Sequence, residues 1–72
     1  MNPIVGKIYE RYGIIGSLWG FERRLVLDVT NTQVLYEVLF EEILGTAVEH
    51  QPVREQVSIK NWKVWAELAR ET

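Results

Sequence analysis

Seventy-two residues, with no cysteine, one histidine and a net charge of −2, describe one small domain spanning 1–72. A chain of this length buries only roughly 60% of its unfolded surface, so it needs tight packing or a partner chain. The composition excludes disulfides and thiolate metal sites, leaves little for a zinc centre, and lacks the global positive field of a nucleic-acid binder. No cofactor and no metal are expected. Three tryptophans supply packing material.

The charge is unevenly placed. Residues 7–24 hold Lys7, Arg11, Arg23 and Arg24 against Glu10 and Glu22. Residues 37–49 hold Glu37, Glu41, Glu42 and Glu49 and no base. Such asymmetry can steer a partner. No signal-peptide pattern is visible, and no stretch approaches the ~20 apolar residues that span a bilayer. The expectation is a soluble cytoplasmic protein without a membrane role.

In chain order, residues 4–12 predict a short strand, because Pro3 and Gly6 oppose a helix and the segment is rich in aromatics. Residues 12–24 continue as Y-G-I-I-G-S-L-W-G-F-E-R-R. Glycines at 13, 16 and 20 mark a loop, yet Ile14, Ile15, Leu18, Trp19 and Phe21 make that loop apolar. It must fold over the core or meet a partner. Leu25, Leu27 and Val29 then alternate with Arg24, Val26 and Asp28, a strand with one buried face.

Thr30-Asn31-Thr32 is a turn signal. Residues 33–40 read as a strand with Val34, Tyr36, Val38 and Phe40 on one face, closing a hairpin with 23–29. A competing helix over 33–44 has Thr30 and Gln33 as a capping box and Gly45 as a stop. Strand-forming residue types, and the wrong charge sign for a helix C-terminus at Glu41 and Glu42, favour the strand. Gly45–Pro52 is a loop or distorted edge, and 53–57 a short strand. Ser58 caps a closing helix with Ile59, Trp62, Trp65, Ala66, Leu68 and Ala69 at helical spacing.

The expected fold is α+β: three or four antiparallel strands, a small curved sheet, with a C-terminal amphipathic helix across one opening. The expected core is Ile8, Leu25, Leu27, Val34, Tyr36, Val38, Val57, Trp62, Trp65 and Leu68.

Catalytic groups are scarce. His50 has no motif partner, and Glu41-Glu42 are adjacent residues that do not face each other. Ser17 is not in a nucleophile elbow, and the glycines do not match a phosphate loop. An enzyme is not expected. Interleaved Tyr9, Arg11, Tyr12, Trp19, Phe21, Arg23 and Arg24 suit a single-strand platform, though a net-acidic domain lacks the counter-charge for phosphates. The same segment offers residue types enriched at protein interfaces.

G-K-I-Y-E, then R-R-L-V-L-D-V, a turn, V-L-Y-E-V-L, and a closing V-S-I-K-N-W-K-V-W-A resemble small phage and prophage proteins. The resemblance implies a small barrel of the Src-homology-3-like (SH3-like) type and carries no functional residue across. The first loop is more apolar, and 40–52 longer and more acidic, than that pattern.

The favoured reading is a non-catalytic interaction module, a phage or mobile-element protein that binds and modulates a host protein by occluding its surface. The partner-binding candidates are Ile14, Ile15, Leu18, Trp19, Phe21, Arg23 and Arg24. A homodimer through Trp19 is one form of that reading. The alternative is a small nucleic-acid-binding barrel using the basic-aromatic N-terminal half.

Overall fold

The computed structural model describes residues 2–15, 17–48 and 53–72. Expectations placed on Gly16, His50 and Pro52 lie outside them. Among the described residues six strands and one helix run in the order β1 (Ile8–Ile15), β2 (Leu18–Val29), β3 (Gln33–Ile43), β4 (Thr46–Ala47), β5 (Val53–Ser58), α1 (Ile59–Ala66) and β6 (Ala69–Glu71). All pairings are antiparallel. The sheet runs β4-β3-β2-β1-β6, and β5 shares the outer edge of β3 with β4. Among the described residues the β6 edge does not pair with β4 or β5, so the sheet they form is open.

The segment expected to be an apolar loop is a β-hairpin. β1 and β2 pair without a break from Ile8↔Leu25 to Ile15↔Leu18. Only residues 16 and 17 separate the last pair, and the dipeptide Gly-Ser is a sequence signal for a two-residue hairpin. Gly13 and Gly20 are therefore not loop punctuation: they face each other inside the ladder.

The second hairpin agrees with its turn signal. Thr30 Oγ1 accepts from the N–H of Gln33 at 3.0 Å and of Thr32 at 3.3 Å, and the Thr30 N–H donates to the Gln33 carbonyl at 2.9 Å. β3 is a strand and not a helix, with Val34, Tyr36 and Val38 buried at alternate positions. Phe40 departs from that face. The register slips between Arg23↔Phe40 and Arg24↔Val38, so Leu39 is an extra residue in β3. Such a bulge re-aims the side chains beyond it, and Phe40 packs instead on Phe21 at 5.9 Å.

A second slip makes Leu27 the extra residue of β2, between Val26↔Tyr36 and Asp28↔Leu35. The face expected to be buried is reversed here: Val26 is core, while Leu25 and Leu27 are half-exposed. The core is Tyr9, Val26, Val34, Tyr36, Val38, Trp62 and Ala66, with Val29, Val57, Ile59, Trp65 and Ala69 packed against it. Ile8 is only half-buried.

Ser58 caps α1 as expected, its Oγ accepting from the Asn61 N–H at 3.1 Å. Trp62 is fully buried, edge-on to Tyr9 at 5.6 Å and tilted on Tyr36 at 5.7 Å. Among the described residues no acceptor meets its indole N–H.

The helix is not C-terminal. It stops at Ala66, and Ala69–Glu71 pairs with Tyr9–Arg11 as an edge strand. An unpaired β1 edge presents a row of unsatisfied backbone groups, and covering it outweighs one more helical turn. Arg70 then reaches Glu10 at 2.7 Å. Leu68, expected in the core, is 71% exposed in consequence.

Trp62→Ala is expected to cost about 3–5 kcal/mol, against a total stability of roughly 0.05–0.15 kcal/mol per residue. The variant should be largely unfolded in a urea titration. Leu68→Ala should stay within about 0.5 kcal/mol of the parent. A large loss at Leu68 would put that side chain in the core and the last turn in a helix.

Candidate functional site

Alternation along β1 and β2 gives the hairpin two distinct faces. Tyr9, Arg11, Glu22 and Arg24 lie on the helix side; Glu10, Tyr12, Ile14, Trp19, Phe21 and Arg23 lie on the other.

On the helix side, Arg24 is taken up by the fold. Its guanidinium carbon lies 4.0 Å from the Trp65 ring centre and 4.2 Å from that of Tyr36. Its Nε is 2.5 Å from Glu22 Oε1, in ionic contact without hydrogen-bond alignment. Both side chains are nearly buried, Arg24 at 12% and Glu22 at 9% exposure. Tyr36 Oη donates to Glu55 Oε2 at 2.6 Å, and burial followed by this carboxylate pushes the phenol pKa well above its ordinary value. Arg11 lies flat against the hairpin. It donates to the Ile14 carbonyl at 2.8 Å and to that of Trp65 at 3.5 Å. A Cβ on Gly13 would stand 3.1 Å from two of its guanidinium nitrogens, so glycine admits the close approach.

On the opposite face Glu10 sits between Arg23 at 3.2 Å and Arg70 at 2.7 Å. Arg23 also overlies Phe21 at 5.6 Å and Phe40 at 6.0 Å. Further toward the hairpin end this face becomes apolar. The Tyr12 ring lies tilted on Phe21, 4.6 Å between centres, and Trp19 is 65% exposed. Ile14 is also exposed on this face, and Leu18 is exposed at the hairpin end on the other. Next to them is the β3–β4 connection, Leu44-Gly45, with φ of +53° and +79°. The Leu44 N–H donates to the Trp19 carbonyl at 2.9 Å, which ties this turn to β2. Between the two lies a shallow pocket of about 180 Å³, lined by Tyr12, Trp19, Phe21, Glu42 and Leu44 and the backbone of Gly20 and Gly45.

Leu44 is the unusual residue. A two-residue turn with positive φ at both positions favours Asn-Gly. A leucine in that conformation costs about 1–2 kcal/mol, and here it is also 67% exposed. Observed backbone strain of this kind clusters at functional sites.

The sequence-derived candidates thus separate. Ile14, Leu18 and Trp19 are exposed at the hairpin end, and Ile15 is placed there by its backbone pairing. Phe21 is 7% exposed and floors the pocket. Arg23 is bound to Glu10, and Arg24 belongs to the interior. Leu44 and Gly45 were not singled out by the sequence as partner-binding; Glu42 entered only as part of the acidic 37–49 segment that can steer a partner, and Tyr12 only as part of a single-strand platform. Reading Leu44-Gly45 as a two-residue turn, rather than Gly45 as the start of a loop or distorted edge, would have brought Leu44 and Gly45 to Trp19.

Among the described residues no three histidine, cysteine, aspartate or glutamate side chains are grouped to hold a metal. No helix among them is long and apolar enough to cross a membrane. No family model, no curated protein and no solved structure matches this chain.

The Arg70 hydrogen bond holds the Glu10 carboxyl below the usual carboxylate range; burial opposes this, and Arg23 adds to the lowering. A depressed folded-state pKa contributes stability above the unfolded value, lost as pH falls through the folded one. Melting temperature should therefore fall below about pH 4, and Glu10→Gln should make that acid fall shallower. Identical acid slopes for variant and parent would show that the Glu10 pairs do not contribute to it.

Proposed function

We propose that this protein is a non-catalytic interaction module that binds a protein partner through the hairpin-end face carrying Tyr12, Ile14, Trp19 and Leu44. The observation that carries the reading is Leu44, an exposed apolar residue held in a left-handed backbone and hydrogen-bonded to the strand of Trp19. Folding alone gains nothing from that choice over asparagine. Together with Trp19 and Tyr12 it makes an apolar surface on a rigid β-scaffold, and exposed patches of a few hundred Å² mark contacts.

The meander β1-β2-β3-β5, then a short helix and a strand returning to β1, supports reading the fold as an opened SH3-like barrel. The proposals of a phage or mobile-element origin, a cytoplasmic location and a host protein as the partner rest on the sequence reading. A second copy of the chain is the other form of the same proposal.

Nucleic-acid binding is less favoured because its arginines are engaged internally: Arg24 between rings, Arg23 on Glu10, Arg11 on main-chain carbonyls.

Two substitutions test the reading by sedimentation, for self-association, and by capture from cell lysate, for another protein. Trp19→Ala should abolish the association with little change in melting temperature. Leu44→Asn should raise stability by about 0.5–1 kcal/mol, since asparagine tolerates positive φ better, and yet weaken association. Association undiminished in both variants would place the interface elsewhere.

A further inference from the structure

We propose that the pocket between the hairpin and the Leu44-Gly45 turn receives an arginine side chain of the protein partner, presented beside apolar residues. This deepens the interface reading above and rests on it. Tyr12, Trp19 and Phe21 supply aromatic surface to the pocket, and Glu42 supplies a carboxylate. Glu42 is directly opposite Phe21 in the β2–β3 register, which puts the carboxylate and the rings on one face. Among the described residues, the lysine and arginine ion pairs are made to Glu10, Glu22, Glu37 and Glu71, and none to Glu42. Arg23 touches Phe21 but is held by Glu10 and does not line the pocket.

The chain itself shows what this set of groups accommodates. Through the sheet, on the helix side, two rings and the carboxylate of Glu22 hold the guanidinium of Arg24. The pocket repeats those chemical groups, rings beside a carboxylate, on the surface. A cation over an aromatic face gains about 0.5–1 kcal/mol when exposed and more when desolvated, and a carboxylate adds a charge-assisted hydrogen bond. Arginine suits a shallow pocket better than lysine. Its guanidinium is planar, stacks, and is weakly hydrated, whereas an ammonium keeps its water unless enclosed.

The probe is acetyl-Leu-Arg-Leu-amide, titrated into the 15N-labelled protein while following the Trp19 indole N–H, assigned by its loss in Trp19→Phe. A saturable shift with a dissociation constant of about 1 mM is expected for so small a ligand. The same peptide with citrulline, a neutral isostere of arginine, should bind at least about tenfold more weakly, as should the arginine peptide to Glu42→Gln. A lysine peptide should fall between. No shift, equal binding of the citrulline or lysine peptide, or undiminished binding to Glu42→Gln would each overturn the arginine assignment. Partner association separates this failure from that of the interface itself. Association lost in Trp19→Ala but intact in Glu42→Gln keeps the surface and removes the arginine. Association intact in both removes both.

Discussion

The guanidinium of Arg24 lies between the rings of Trp65 and Tyr36 while Glu22 approaches it from two residues back along the same strand. Three elements meet there, because Tyr36 is on β3, Trp65 on α1, and the arginine on β2. The short helix has few other attachments. It is eight residues long, and its fully buried ring, Trp62, rests on the same Tyr36 and on Tyr9. A buried cation is costly unless paired and stacked. The groups that satisfy Arg24 therefore fix the helix against the sheet, and the helix in turn positions β6 along the β1 edge.

This arrangement divides the labour of the two sheet faces. The helix side consumes Tyr9, Tyr36, Trp62 and Trp65, half of the eight aromatic residues of the chain. The opposite face has no helix over it. Near the middle it is closed by polar means, with Glu10 between two arginines and Arg23 over two phenylalanine rings. Toward the hairpin end that cover stops, and Trp19, Ile14 and Leu44 are left exposed. Among the described residues no further element covers that apolar end, and the strained Leu44 turn adds to it at a cost in stability.

Local chemistry was legible in the sequence where it acts within a few residues. The Thr30 turn and the Ser58 cap each satisfy backbone groups nearby, and both are found as read. The strand-forming residue types of 33–40, with the wrong charge sign for a helix end at Glu41 and Glu42, correctly favoured strand over helix, and the strand runs on to Ile43. What was not legible depends on pairing partners distant in sequence. The bulges at Leu27 and Leu39 reverse or re-aim side chains, and nothing at those residues announces an unpaired position. The edge of β1 that turns 69–71 from helix to strand lies near the other end of the chain. For the site, the apolar content of 13–21 correctly drew attention to Trp19, which is exposed. The glycines of that segment misdirected the reading toward a loop, although Gly16-Ser17 carries a hairpin signal. Arg24 looked like a surface base because a sequence does not show which rings will enclose it.

The most direct test of this joint is urea unfolding of Arg24→Lys. Lysine keeps the charge beside Glu22 but has no planar group to lie between Tyr36 and Trp65. A loss of about 1–3 kcal/mol is expected, read as a lower midpoint with an unchanged slope. A midpoint equal to that of the parent would mean that charge alone is needed at this position, and would contradict the view that the stacked guanidinium joins the helix to the sheet.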